Sequence, residues 1–119
     1  MKTVYICAPL KGDIRGNIEK ARIYTRYALK CGVAPVTSHF FALCIDDDIP
    51  EERKLGMDAG LTLMNMCDEL WVFGKELTAG MQREFEYAKH RLRIPIRHLD
   101  TSEIIDFMRN EEGGNAYGN

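Results

Sequence analysis

Short runs of β-branched, aromatic and other apolar residues recur along the chain and predict β-strands. Glycine, proline or polar residues bound each run, as expected where a chain turns. Pro35 lies inside the second run and removes a donor from the hydrogen-bond ladder, so we expect this strand at a sheet edge or ending there. The four predicted strands cover residues 3–8, 33–37, 69–74 and 94–99.

Between these runs, apolar residues recur at intervals of three and four, which predicts amphipathic helices. Gly32 follows the first helix and is a common residue at helix ends. Pro50 and two glutamates begin the second, where a fixed φ and the helix dipole favour them. The predicted helices cover residues 14–31, 50–66, 80–91 and 101–110, with a long loop at 38–49 and a disordered tail at 111–119.

This alternation of strands and helices predicts a single α/β domain over residues 1–110. Crossovers of this length require mostly parallel strands, so we expect three layers: an open sheet of about four to five strands with helices on both faces. A chain of 119 residues, 45% of them hydrophobic, can fill one core. Such sheets bind ligands at the carboxyl ends of their strands, where the loops after the first three strands converge.

The charge and cysteine patterns exclude several classes of protein. A net charge of −2 and a pI of about 5.9 leave no basic stripe for duplex nucleic acid. The apolar stretch at residues 4–10 is too short for a signal or membrane helix, so we expect no membrane contact and a cytoplasmic location. The cysteines form no CxxC pair, which favours reduced thiols over a zinc site; no metal or cofactor is expected. They are Cys7, Cys31, Cys44 and Cys67.

The predicted helix at residues 80–91 carries the strongest candidate for chemistry. Thr78 and Gly80 place a hydroxyl and unpaired backbone N–H groups at its start, which suits an anion, although Thr78 could equally be only an N-cap. Glu84 lies about 60° from the centre of the apolar face, whereas Glu86 points about 140° away. Glu84 can therefore face the crevice; the alternative is an ordinary solvated glutamate. The apolar face comprises Met81, Phe85, Ala88 and Leu92.

The predicted second helix repeats this arrangement. Asp58 flanks one apolar face by about 60° and is expected to reach the same site. The opposite face is also apolar, so the helix needs a second packing partner, and a homodimer is the simplest one. The first face comprises Leu55, Ala59, Thr62 and Met66, and the opposite face Met57, Leu61 and Met64.

Two further loops offer ligand contacts. His39 follows the second strand, where a neutral imidazole could bind a sugar or base, or could be a satisfied structural histidine. The first loop combines Lys11 and Arg15 with Gly12 and Gly16, which supply positive charge and close backbone approach for a phosphate or ribose. The loop matches neither GxGxxG nor GxxxxGK[ST], so we do not predict a dinucleotide or triphosphate site.

Four segments of the chain resemble the nucleoside 2-deoxyribosyltransferase superfamily, which includes deoxynucleoside monophosphate N-hydrolases and uncharacterised DUF4406-type domains. The resemblance covers most of residues 3–98 and implies a Rossmann/flavodoxin-like α/β fold. The last two segments are the most specific. The segments are VYICAPLKG, SHFFA, GMDAGLTLMNMCDELWVF and TAGMQREFEYAK.

The resemblance implies a mechanism and a set of site residues. The nucleophile of the superfamily lies four residues before a helical alanine, which is Glu84 here, and its upstream aspartate matches Asp58. Glu84 would attack the anomeric carbon of a nucleoside or nucleotide and form a glycosyl-enzyme, which water or another base resolves. The implied substrate-binding residues are Ala8, Pro9, Leu10, Lys11, Gly12, His39, Thr78, Gly80 and Met81.

One departure from the superfamily pattern bears on the substrate. Transferases that act on free nucleosides carry an acid near the position of Thr78, and the nearest acid here is Glu76. This departure favours a 5′-phosphorylated substrate or one that the superfamily does not usually take. Two other functions stay open. One is a non-catalytic nucleotide sensor, and the other is an assembly protein that uses the face of Met57, Leu61 and Met64.

Overall fold

The structure is a computed structural model that describes the backbone of residues 1–118 and the side chains of residues 1–112. Its four strands are all parallel and lie in the order β2-β1-β3-β4. This confirms the predicted parallel α/β sheet, and it places β2, which contains Pro35, at an edge. The strands are β1 (Thr3–Cys7), β2 (Ala34–Val36), β3 (Glu69–Phe73) and β4 (Ile96–Leu99).

The helices match the predicted ones in number and order, with two local differences. The predicted loop at residues 38–49 begins with a 3₁₀ helix, Ser38–Leu43. The third helix changes to a π-helix at Tyr87–Leu92, and Arg93 then ends it in the left-handed conformation. The α-helices are α1 (Ile14–Lys30), α2 (Pro50–Met64), α3 (Ala79–Glu86) and α4 (Thr101–Gly118).

Alternation along β1 divides the core between the two faces of the sheet. Val4 and Ile6 point to the face covered by α1 and α4, where Tyr24 stacks on Phe73 with ring centroids 4.4 Å apart. Tyr5 and Cys7 point to the other face, which α2 and α3 cover. A period of two is the geometry of a strand, so β1 serves both halves of a three-layer structure.

The orientation of α2 differs from the prediction. The face expected to be buried is exposed, with Leu55 at 66% and Met66 at 65% exposure. Gly60 and Met64 are buried instead, and Leu61 packs against the core on the same side. An apolar pattern on both sides of a helix leaves its orientation undetermined, and here packing against the sheet selects the Gly60 side. Met57, Leu61 and Met64 therefore do not form an outer dimer face.

The C-terminal helix is longer than predicted. Glu112 pairs with Arg22 of α1 at 3.0 Å, and Glu111 pairs with Lys30, so acidic residues of α4 lie opposite basic residues of α1. The rest of the predicted disordered tail at 111–119 consists of residues whose side chains lie outside the described part of the structure. Its disorder therefore stays a prediction. Within residues 1–118 no helix is long and apolar enough to cross a membrane.

Candidate functional site

A crevice opens where the order of the strands reverses. The chain passes from β1 to β2 on one side of the sheet and then places β3 and β4 on the other side. Loops after β1 and β3 therefore diverge at the carboxyl ends of these strands, which is where sheets of this kind bind ligands. A cavity of about 170 Å³ lies there, bounded by both loops, the 3₁₀ helix, α2 and α3.

Most of the predicted site residues line this cavity. Two from the first loop do not: Pro9, and Gly12, whose φ of 93° shapes the turn into α1 instead. Asp58 is also absent from the cavity wall. The predicted residues that the structure brings together are Ala8, Leu10, Lys11, His39, Thr78, Gly80, Met81 and Glu84.

Glu84 is held by a chain of hydrogen bonds from the floor of the cavity. The Tyr5 hydroxyl donates to Glu84 Oε2 at 2.5 Å and lies 2.7 Å from Ser38 Oγ. A phenol has one proton to donate, so Ser38 must donate to Tyr5. The chain of donors therefore runs from Ser38 through the fully buried Tyr5 to Glu84. The arrangement orients Oε2, and the Glu84 side chain lines the cavity.

Burial dominates the ionisation of this carboxyl group. It raises the pKa of Glu84 from 4.5 to about 7, against the opposing effects of the Tyr5 hydroxyl, the Cys7 thiol and the Arg83 charge. Burial and the Glu84 charge also raise the pKa of Tyr5 and of Cys7, so both stay protonated near neutral pH. Glu84 is therefore close to half ionised at pH 7, in a range suited to acid, base or nucleophilic chemistry.

Asp58 does not join Glu84, contrary to the prediction. Its side chain is 58% exposed and binds Lys54 Nζ at 2.6 Å on the outer face of α2. The inverted orientation of α2 is the cause, because the predicted inner face points outward. Gly60 is the residue of α2 that lies close to the Tyr5 hydroxyl: a Cβ added to it would stand 2.9 Å from that oxygen.

Thr78 caps the start of α3, as one of the two interpretations of this residue expected. Its Oγ1 accepts a hydrogen bond from Met81 N at 3.3 Å, and it ends an extended segment before α3 begins. Thr78 and Gly80 also line the cavity, and nothing lies within 4 Å of a Cβ added to Gly80. The start of α3 therefore leaves room for a ligand beside its backbone N–H groups.

His39 links the 3₁₀ helix to the first loop. It is 4% exposed, and its Nε2 lies 2.9 Å from the Ala8 carbonyl oxygen. A carbonyl only accepts, so Nε2 carries a proton, and burial lowers the pKa of His39, which favours the neutral ring. Nδ1 has no partner among the described residues. This geometry fits the structural interpretation of His39, which also forms part of the cavity wall.

Residues 2–99 match a family model whose description is a domain of unknown function, DUF7768. The chain belongs to this family. The match spans the whole sheet and the segments that form the cavity, and it stops before α4. A search of curated proteins gave no match. The description of DUF7768 states no activity, so the superfamily resemblance and its implied roles stay predictions.

Sequence reasoning missed several residues of this cavity. Tyr5 could have been found, because strand alternation places its hydroxyl on the same face as Cys7, towards α2 and α3. Arg53 on α2 and Arg83 on α3 had no such signal, since basic residues on helices usually face solvent. Ser38, Asp47 and Gly60 complete the polar or close-packed part of the wall.

The cavity is more basic than the chain as a whole. Lys11, Arg53 and Arg83 line it together with the carboxyl groups of Asp47 and Glu84. The domain carries a formal net charge of −2, so cations are concentrated at this crevice. Such a lining favours an anionic small molecule. No three His, Cys, Asp or Glu side chains within the described residues are placed to hold a metal ion.

Proposed function

We propose that this domain breaks the N-glycosidic bond of a nucleoside 5′-monophosphate or nucleoside, by hydrolysis or by transfer to another base, with Glu84 as the nucleophile. One observation carries the proposal: a carboxyl group held at 2.5 Å by a buried tyrosine lies in the crevice where the strand order reverses. The resemblance to the nucleoside 2-deoxyribosyltransferase superfamily assigns the nucleophile to the same residue.

The proposed reaction has two displacement steps. In the first, Glu84 Oε1 attacks the anomeric carbon while the bond to the base nitrogen breaks, and the electron pair leaves with the base, which takes up a proton. In the second, water or another base attacks the same carbon and gives up a proton, and the bond to Glu84 breaks to release its carboxylate. The Tyr5 hydroxyl holds Oε2 throughout and stabilises the ionised form that the attack requires.

Two features support a phosphorylated substrate. Lys11 lines the cavity from the first loop, and Thr78 and Gly80 bring the start of α3 to the same wall. An ammonium group and free backbone N–H groups at a helix start both favour a phosphate. This placement would leave the sugar near Glu84, since the residue lies on the same helix.

The test is release of free base from a panel of ribonucleoside and deoxyribonucleoside 5′-monophosphates. We expect release by the natural chain and none by Glu84→Gln. Glu86→Gln is the matched control, because Glu86 lies on the same helix but is exposed and bound to Gln82 and His90. Equal release by the natural chain and by Glu84→Gln would rule out Glu84 as the nucleophile.

A non-catalytic nucleotide sensor is the second candidate. The observation that favours it is the outward position of Asp58, which leaves the cavity without the second carboxylate that the superfamily resemblance implied. A sensor would bind nucleoside monophosphates without releasing base, and Glu84→Gln would bind them equally well. Measurable turnover would exclude this candidate.

We also propose that the protein forms a homodimer and works in the cytoplasm. Two exposed apolar residues, Leu55 of α2 and Met66 just after its end, support the dimer in place of the face first predicted. A Leu55→Glu variant should sediment as a monomer, while Leu43→Glu, at an equally exposed site on the 3₁₀ helix, should not change assembly. An unshifted, folded Leu55→Glu variant would refute the dimer.

The thiols of Cys7, Cys31, Cys44 and Cys67 are all free, as a reducing compartment would leave them.

A further inference from the structure

A second cavity adjoins the one that contains Glu84. It is a more open depression of about 320 Å³, and its wall shares Asp47, Arg53, Met57 and Arg83 with the first cavity. Lys11, Thr78 and Glu84 line only the first cavity. The two arginines therefore lie where the cavities meet.

Carboxyl groups line both cavities beside the two arginines: Glu84 lines the first, Asp48 the second, and Asp47 both. Within residues 1–112, Arg53 and Arg83 form no ion pair, whereas Lys54, next to Arg53 in sequence, pairs with Asp58 at 2.6 Å. Asp47 and Asp48 line the second cavity but bind neither guanidinium.

The nearest acceptor for Arg83 is a weak one. Its Nη1 lies 3.2 Å from Met57 Sδ, and a thioether accepts hydrogen bonds poorly. The contact with Met57 therefore satisfies the Arg83 donor only weakly. The Arg83 and Arg53 guanidinium groups keep most of their hydrogen-bonding capacity for another partner.

We propose that Arg53 and Arg83 form a second anion subsite, so that the ligand of this domain carries two anionic groups. One is the 5′-phosphate beside Lys11 and the start of α3, and the other is a phosphate or carboxylate between the two arginines. This inference rests on the cavity as a nucleotide site, as in the proposed function, but not on bond cleavage.

The chemistry of the pair defines the ligand class. Guanidinium groups present planar pairs of donors that match the oxygens of a phosphate or a carboxylate. On a nucleotide, such a second group can be a phosphate on the sugar or a carboxylate on the base. This pair of cations disfavours a ligand that has no anionic group to place between them. Binding of such a ligand would remove water from both guanidinium groups without replacing the lost hydrogen bonds.

The experiment compares three ligands with a common skeleton. Binding of uridine 5′-monophosphate, uridine 3′,5′-bisphosphate and orotidine 5′-monophosphate is measured by calorimetry on the Glu84→Gln chain. Because this variant lacks the proposed nucleophile, the titration reads binding alone. The bisphosphate adds a phosphate to the sugar and orotidine 5′-monophosphate adds a carboxylate to the base, so the two arms separate the sources of the second anion.

We expect at least one of the two doubly anionic ligands to bind about tenfold more tightly than uridine 5′-monophosphate, as one or two charge-assisted hydrogen bonds at a partly exposed site would give. Arg53→Gln and Arg83→Gln should each remove most of this advantage. Arg91→Gln, at an exposed position outside both cavities, should retain it.

Three results would overturn the subsite. They are equal binding of all three ligands, no binding of any, or an advantage that survives both Arg53→Gln and Arg83→Gln. Failure of the proposed function gives a different result, because base release by the natural chain is measured separately and does not enter these titrations. A positive outcome would also identify which end of the substrate reaches the second cavity.

Discussion

Replacing Glu84 with glutamine is expected to stabilise the protein at alkaline pH and to have much less effect in acid. Burial raises the pKa of Glu84 from 4.5 to about 7, so the folded state binds a proton at this site more tightly than the unfolded chain does. The stability that this difference contributes is fully present below pH 4.5 and is lost as the pH rises through about 7. Glutamine stays neutral throughout and can still accept from the Tyr5 hydroxyl.

The magnitude follows from the size of the pKa shift. A shift from 4.5 to about 7 corresponds to about 3 kcal/mol, at about 1.4 kcal/mol for each pKa unit. The residue is only partly buried, so some of the charge is solvated through the cavity mouth. We therefore expect the stability difference between Glu84→Gln and the natural chain to grow by about 2–3 kcal/mol from about pH 5 to about pH 8.5.

Urea denaturation measures this difference directly. The single tryptophan, Trp71, is buried on β3 and reports unfolding by its fluorescence. Free energies of unfolding for the natural chain, Glu84→Gln and the exposed control Glu86→Gln are compared at both pH values. A difference between the natural chain and Glu84→Gln that stays constant with pH would refute the reasoning, because it would show that Glu84 ionises normally in the folded state.

Three smaller predictions concern the surroundings of Glu84. Gly60→Ala brings a Cβ to 2.9 Å from the Tyr5 hydroxyl and should lower the free energy of unfolding by about 1–3 kcal/mol in denaturation, whereas Gly80→Ala, with open space around it, should not. Tyr5→Phe removes the donor to Glu84 and raises its pKa further, so the acid limb of a pH profile of base release should move to higher pH; an unmoved limb contradicts this role. Asp58→Asn should leave base release unchanged and stability within about 0.5 kcal/mol, and a large loss of activity would return Asp58 to the site.

Several features of the site were predictable because they depend on neighbours in sequence. Helical spacing separates Glu84 from Glu86, and the structure places Glu84 on the cavity wall and leaves Glu86 exposed. Thr78 before the third helix indicated the cap that is observed. Residues that meet only through the fold were not predictable: Tyr5 and Glu84 are 79 positions apart, and the pairing depends on β1 lying beside α3.

The sequence by itself determines the order and type of the elements, the parallel sheet, and the position of Glu84 beside a helix start, because these follow from patterns only a few residues long. Tertiary structure alone decides which side of α2 faces the sheet. Both sides are apolar, and Gly60 packs close to the Tyr5 hydroxyl, which turns Asp58 outward and brings Arg53 to the cavity. Local periodicity sets how a helix forms, whereas long-range packing sets which face it buries and therefore which side chains reach Glu84.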